Sequence, residues 1–595
     1  MIKVFNTSQD TIQITQNTNP AESKLYPLIK QEDLSLFRFE LSHEKEFVPK
    51  PIVLEWKFPA VGVIGVWKPT ADFSKRIEAD WELETHESRI SIDAPVLALF
   101  RADDENALCF SCSNAINSIE MSAKYREEDN IFYCQIILFT ECKYPIKDFS
   151  LDIRLDFRKI PFHEALRQTS IWWETFEHLI PVSVPAIAKL PLYSTWYQFH
   201  QNLEEALLLQ ECQLAKQMGF ESIIIDDGWQ TKDNNRGYDY TGDWHPEHFD
   251  NFGALVKKIQ NIGIKVGLWF SVPFCGIKSK AYKRFKGKFL TENHRWAPVF
   301  DPRYPEVREY LVTTYVNAVK NWHLDGLKLD FIDDFKSYPE TDFENDGKDI
   351  LSINGAVDLL LTQVRSELEK VKPEIFIEFR QKYTGPAMRK YGNMLRAFDC
   401  PGDYTMNRVR IADIKMLAGN TAVHADMVKW NFDESVEAAA LHYINTLFGV
   451  PQISVMLTQA PPEQLKMISF YTQYWRNNSE ILLSGNYTPK LPLENYPIQY
   501  AMGSNKTIVG LHSDQIVFLS ASHDAIDVIN AKTSDKILLD TPKDQGSFDY
   551  TICNCQGVII ENNTVRLNSG CNRFHVPSGG LLRLKRIYQQ DPGNT

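Results

Sequence analysis

Short runs of alternating apolar and polar residues fill the first third of the chain. RISIDAPVLALF (89–100) and NIFYCQIILFTEC (130–142) are examples, with polar turns between such runs. A period of two is what a strand with one buried face requires, and few long helical stretches interrupt it. Residues 1–178 therefore read as an N-terminal β-sandwich. The proline-dotted segment LIPVSVPAIAKLP (179–191) marks a boundary.

Beyond that boundary the pattern changes. Short β-rich runs alternate with amphipathic helical stretches. The runs are YSTWYQF (193–199), ESIIIDD (221–227), KVGLWFS (265–271), GLKLDFI (326–332), EIFIEFR (374–380), NMLRAFD (393–399), TAVHADM (421–427) and PQISVML (451–457). In the first intervening helix, Asn202 is a candidate N-cap with Glu205 three residues on. Leu203, Leu207, Leu214 and Met218 share a face, and Gly219 stops the helix. Eight β-then-α units predict a central (β/α)₈ TIM barrel, which with its following helix occupies residues 179–488. The competing architecture, an open doubly wound sheet, normally carries a glycine-rich turn after its first strand. YSTWYQFHQNL has no glycine. From 489 to 595 the runs NKTIVGLHS, QIVFLSAS, GVIIENNTVRL and GGLLRLKRI predict a small C-terminal antiparallel β domain. The whole is a multidomain chain.

Composition narrows the partners. A formal net charge of −13 spread over 595 residues argues against nucleic acid or an anionic membrane. The opening MIKVFNTSQD is not a cationic start followed by an apolar stretch, and no run approaches the ~20 apolar residues of a membrane span. A cytoplasmic location is the resulting expectation. Ten cysteines are too sparse for a disulfide scaffold. Cys109 and Cys112 form a C-x-x-C without a second pair, so they read as buried strand thiols, as do Cys553 and Cys555.

In such a barrel, reacting groups gather where the strands end. Those ends carry Asp226-Asp227-Gly228-Trp229, Trp269, Lys328 and Asp330, Glu378 and Arg380, Arg396 and Asp399, and His424 and Asp426. A lone aspartate at a strand end often only caps a turn or helix. Lys328 and Asp330 are two apart and point to one face, where they could form a structural ion pair. Asp226 and Asp227 both reach a ligand only if the chain turns at Gly228. Neighbouring carboxylates also suit a divalent metal, which makes a metal-dependent barrel enzyme the rival reading. The strand ends offer one histidine, His424, and no H-x-H or H-x-x-E-H pattern, so neither metal nor cofactor is expected and His424 reads as a packed histidine. Trp196, Trp229, Trp244 and Trp269 fall on or just after strand ends. Indole faces pack on the C–H face of a pyranose, which favours sugar, although some of the four could be ordinary core.

The segments WYQF, IIIDDGWQ, TGDWHPEHF, GIKVGLWF and GLKLDFID, followed by NMLRAFDCPGDYTMNRVR and GNTAVHADM, resemble glycoside hydrolase family 36, the α-galactosidase (melibiase) family. The resemblance covers roughly residues 190–480. It implies a retaining, exo-acting hydrolase that removes terminal α-linked galactose from oligosaccharides by double displacement. Asp330 would be the nucleophile and Asp399 the acid/base. Lys328 would keep Asp330 ionised and bind a hydroxyl. Asp226 and Asp227 would receive O4 and O6 of galactose. Trp269, Trp196 and Trp229 would line the pocket, Arg396 would hold the acid/base region, and Arg380 would reach the hydroxyl next to the reacting carbon.

Several departures from the family pattern leave alternatives open. Phe398 stands where many members carry tryptophan, and Asp403 rivals Asp399 as acid/base. Ser271-Val272-Pro273 replaces a Glu-Pro pair near the aglycone. A related α-glycosidase or transglycosylase, for instance on an α-N-acetylgalactosaminide, and a non-catalytic galactoside-binding protein remain alternatives. The N-terminal β domain could mediate homo-oligomer formation.

Overall fold

The computed structural model describes residues 3–588 apart from 7–10, 17–18, 32, 234, 381 and 520–523. Among the described residues, the N-terminal region forms two packed sheets of seven and six strands. Strand Ile131–Leu138 alternates half-buried and buried along its whole length, as its sequence period requires. Trp56 and Phe110, edge to face at 4.9 Å, anchor the core between the sheets. Cys109 and Cys112 lie in a fully buried strand, and burial pushes both thiols up to about 12. Cys553 and Cys555 are buried too.

The barrel strands are β1 (Leu192–Ser194), β2 (Ser222–Ile225), β3 (Lys265–Ser271), β4 (Gly326–Asp330), β5 (Phe376–Phe379), β6 (Met394–Arg396), β7 (Ala422–His424) and β8 (Gln452–Ile453). All pair in parallel, in sequence order from β1 to β7, with β8 beside β1. A parallel bridge between His424 and Val450 brings the chain just before β8 onto β7 and completes the ring. Most strands are shorter than their sequence runs, because polar side chains at the rim take over from the ladder. Thr195 Oγ1 accepts the Asp226 amide at 2.9 Å, and residues Trp196–Phe199 are already one turn of helix.

The helix after β1 spans Glu205–Gln217 and has no side-chain cap, so Asn202 lies outside it. Gly219, at φ +96°, ends it as expected. Its buried face is Leu208, Glu211, Cys212 and Ala215, one position away from the expected stripe of Leu207, Leu214 and Met218. The cause is Glu211, which turns inward to accept hydrogen bonds from Tyr193 and the amides of Leu457 and Thr458.

The C-terminal region pairs a seven-stranded with a three-stranded sheet and is mixed rather than antiparallel. Lys506–Leu511 runs parallel to Ala525–Asn530, and Ile516–Phe518 parallel to Lys536–Thr541. The chain crosses to the smaller sheet between the first two of these strands, which is the long connection a parallel pair needs. Helix Pro462–Ser484 ties this region to the barrel through Tyr474, whose hydroxyl donates to Asp527 at 2.9 Å. All three regions converge on Asp413 in helix Tyr404–Lys415. Trp67 Nε1 of the sandwich donates to it at 2.8 Å, Tyr496 of the C-terminal region at 2.6 Å, and Lys75 Nζ of the sandwich stands 3.4 Å away. Among the described residues, no helix is long and apolar enough to cross a membrane.

Candidate active site

The period of two along each barrel strand sorts the interior into layers. Leu192, Ile224, Phe376, Met394 and Ala422 pack together as an apolar floor. Gly267 and Gly326 belong to it as well: a Cβ on either would meet the Phe376 ring at 2.8 or 2.2 Å, so that one ring fills the space of two side chains. Two residues further along each strand come Ser194, Asp226, Trp269, Lys328, Glu378, Arg396 and His424, and two further still Asp330, Arg380 and Asp426. The sequence thus changes from apolar to polar along these inward faces, and the charges of five strands collect at the C-terminal mouth.

Asp330 is sealed by three donors. Trp269 Nε1 reaches it at 2.7 Å, Arg380 Nε at 2.6 Å and the Phe331 amide at 2.7 Å. Phe331 itself has a left-handed backbone (φ 63°, ψ 19°), an uncommon state for a bulky side chain. This kink ends β4 and turns the following amide back onto the carboxylate. The Arg380 guanidinium stacks over the Phe331 ring at 4.8 Å.

Arg380 also joins Asp330 to Asp399, donating from Nη1 to Asp399 at 2.9 Å. One guanidinium separates the two carboxylates, so the bonded oxygens stand no more than about 8 Å apart, an upper bound that admits the ~5–5.5 Å separation of retaining glycosidases. Arg396 Nη2 donates to the other Asp399 oxygen at 2.7 Å. Burial works against the charge on Asp399, but Arg380 and Arg396 outweigh it and hold the group well below the usual carboxylate range. Its side chain is 28% exposed, against 2% for Asp330. Asp403, the rival, is exposed and caps helix Tyr404–Lys415 by accepting the Met406 amide at 2.8 Å. Its side chain is engaged at the helix end.

Lys328 does not pair with Asp330. It donates instead to Asp226 at 2.6 Å, and Arg380 takes the place beside Asp330 that Lys328 was expected to hold. Asp227 has no cation partner among the hydrogen bonds formed: it accepts from Gln230 Nε2 at 2.7 Å and Gln201 Nε2 at 3.0 Å. Burial, with Asp226 and Asp330 adding to it, pushes Asp227 up to about 7 despite both amides. Gly228 makes this double presentation possible. At φ +116° it adopts a backbone that side chains avoid, and a Cβ there would meet the Gln201 backbone at 2.5 Å.

The tryptophans divide. Trp269 faces the carboxylates. Trp229 is fully buried, donates to the Trp269 carbonyl at 2.8 Å, and packs on Trp244, Phe252, Phe270 and Trp322 between barrel and helices. It supports the wall and does not line the site. Trp196 is half-buried against the His200 ring. His424 is a packed histidine, bonded at Nε2 to the Ala188 carbonyl and at Nδ1 to Gln452, and burial lowers it to about 4.

Asp426, expected at the rim but given no role there, braces Arg396, accepts Tyr197 at 2.8 Å and holds the Cys400 amide at 2.7 Å, fixing the loop that bears Asp399. Its place on an inward face two residues after His424 was the available signal. Gln201 and Gln230 come from loops, where no periodicity marks them. Tyr383 donates to Asp333 at 3.0 Å, and burial beside Asp334 pushes Asp333 up to about 6. Among the described residues, no group of three or more His, Cys, Asp or Glu side chains is set to hold a metal ion. The Asp226 and Asp227 oxygens are occupied by Lys328 and the two glutamine amides.

Known proteins resemble this chain in sequence and in fold. Residues 162–385 match the Melibiase family model. α-Galactosidase 2 of Pediococcus pentosaceus is 28% identical over 159 residues, covering 25% of this chain and 22% of that protein. α-Galactosidase Mel36A of Lactobacillus acidophilus is 25% identical over 166 residues, covering 26% of this chain and 22% of its own length. The matched segments thus span about a fifth of these relatives. In overall fold the chain is similar to the GH36 α-galactosidase of Geobacillus stearothermophilus in complex with raffinose (TM-score 0.66, 13% identity, 97% of this chain and 83% of that one). It is likewise similar to the α-galactosidase of Lactobacillus brevis (TM-score 0.64, 13% identity, 100% and 84%). The Melibiase family match runs through the sandwich-to-barrel junction and the first five barrel strands, and over nearly its whole length the chain is similar in fold to the GH36 α-galactosidases.

Proposed function

We propose that the protein is a retaining, exo-acting α-galactosidase acting on oligosaccharides, with Asp330 as nucleophile and Asp399 as acid/base. The observation that carries this reading is the shared guanidinium: Arg380 bonds one carboxylate that is sealed and another that is partly open to solvent. Raffinose, bound in the Geobacillus relative, is an oligosaccharide of the size class proposed here.

In this mechanism Asp330 attacks the anomeric carbon from the face opposite the leaving group and forms a glycosyl-enzyme. Its three donors fix the attacking oxygen, so little reorganisation is left for the reacting step. Asp399 must give a proton to the departing oxygen and then take one from water. In the free protein, two arginines oppose that protonation. Sugar entering the mouth offers Arg380 a hydroxyl, and the loss of its bond to Asp399 removes one cation from the carboxylate just as the aglycone covers it. Both changes move Asp399 toward the protonated form. Asp226, with Lys328, and Asp227, with its amides, present acceptors and donors for hydroxyls on the far side of the ring.

The test is release of nitrophenol from a panel of nitrophenyl glycosides. Turnover of the α-galactoside, lost in Asp330→Ala and partly restored by azide, is expected. Unchanged turnover in that variant would remove the assignment, and preference for the α-N-acetylgalactosaminide would move it to the related activity.

A further inference from the structure

An ion pair links the N-terminal sandwich to the helix that holds the acid/base loop. Arg410, in helix Tyr404–Lys415, donates from Nη1 to the carbonyls of both Phe398 and Asp399, each at 3.0 Å. Its other edge is held by Asp72 of the sandwich in a two-toothed pair, Nε to Oδ1 at 2.8 Å and Nη2 to Oδ2 at 2.7 Å. The guanidinium also lies over the Phe398 ring at 5.0 Å. Two donors on consecutive carbonyls fix the peptide from which the Asp399 side chain springs.

Asp72 is itself held in place. Its backbone is left-handed, at φ 52°. Lys75 Nζ binds the Asp72 carbonyl and stands 3.4 Å from Asp413, on the same helix as Arg410. The sandwich loop and the helix are therefore pinned at two points one helical turn apart. A docking contact alone would need only one of these, and would have no reason to end on the carbonyl of the residue with the proton.

We infer that Asp72 and Arg410 are positioning residues for Asp399, so that the N-terminal sandwich sets the aim of the acid/base. This rests on the proposed role of Asp399. Neither residue touches the substrate; each acts through the Phe398–Asp399 backbone. Misplacement of a proton donor by about 1 Å can cost roughly a hundredfold in rate, and only where the proton is needed.

The experiment compares Asp72→Ala, Asp72→Asn, Arg410→Lys and Asp399→Asn with the full-length wild type on two α-galactosides. One is the dinitrophenyl galactoside, whose leaving group departs without a proton; the other is melibiose, whose leaving group requires one. Asp72→Ala and Arg410→Lys should lower kcat/KM on melibiose about tenfold to a hundredfold while changing the rate of the first step on the dinitrophenyl galactoside less than about threefold. Asp72→Asn, which keeps one acceptor, should fall between. Far-ultraviolet circular dichroism and the unfolding midpoint separate a misfolded variant from a mispositioned one, and Asp72→Asn serves if Asp72→Ala fails to fold. Equal losses on both substrates, or no loss on either, would overturn the inference. If Asp399→Asn shows the leaving-group dependence and the Asp72 and Arg410 variants do not, only the inference falls. If Asp399→Asn shows none, the reading of Asp399 falls first.

Discussion

Asp330 and Asp399 share a side chain, a barrel mouth and an arginine, yet their surroundings differ in kind. Asp330 is closed off by an indole, a guanidinium and a backbone amide, on a strand end locked by the Phe331 kink. Asp399 lies past the end of β6 in a loop, partly exposed, between two arginines and on a peptide braced from outside the barrel. A nucleophile gains from immobility, because its lone pair must meet one carbon along one line. A group that both gives and takes a proton needs a route to water and an electrostatic setting that can change within a turnover. Rigid backbone serves the first and loop backbone the second.

This contrast can be broken by experiment. The largest effect belongs to Asp330→Ala, for which a loss of at least ~10³-fold in kcat is expected on every α-galactoside, whatever its leaving group. Azide should then yield the β-galactosyl azide, because it replaces the nucleophile on its own face; recovery of the α-anomer would reverse the assignment. Asp399→Ala should lose about 10²–10⁴-fold on melibiose but far less in the first step on the dinitrophenyl galactoside, with azide giving the α-anomer. An equal loss on both substrates would merge the two roles. Arg380→Lys comes next. It breaks the planar bridge, should cost roughly tenfold or more in kcat/KM, and should shift the alkaline limb of the pH–rate profile upward, because Asp399, which must carry the proton, loses the guanidinium bond that helps hold it down. An unmoved limb would show that Arg396 alone sets that group.

The smallest effect concerns stability. Asp227 is pushed up to about 7 by burial. In the folded protein it keeps a proton that the unfolded chain gives up near the ordinary carboxylate value. Its contribution is therefore fully present below about pH 4 and is lost as pH rises through about 7, a change of a few kcal/mol. Asp227→Asn should flatten that slope and leave the variant more stable than the wild type at pH 8, measured by denaturant unfolding at pH 5 and 8. A variant less stable at both would show that the carboxylate is worth more ionised than its partners suggest.

What could be read from the chain follows from periodicity. Eight strand runs, and the inward aim of Lys328 with Asp330 and of Glu378 with Arg380, come directly from a spacing of two. Lateral pairing does not, because it depends on how neighbouring strands are staggered around the ring. Lys328 leans across to Asp226, and Arg380 fills the place beside Asp330, although nothing in GLKLD distinguishes one partner from the other. Trp229 follows the turn at Gly228, where strand alternation no longer applies, so its outward burial was hidden. Asp403 had a visible clue: it opens a helix, and an aspartate at that position is commonly used for the exposed amides. The loop residues Gln201 and Gln230 owe their roles to contacts with Asp227 made from loops, which no strand or helix period records.

Asp413 carries a different lesson. A buried carboxylate whose partners come from two stretches of chain outside its own behaves as a keystone, since removing the sandwich takes away its cation and removing the C-terminal region takes away a donor. A lineage could reshape the rim loops without touching this acid, whereas exchanging the sandwich or the C-terminal region would take a partner from it.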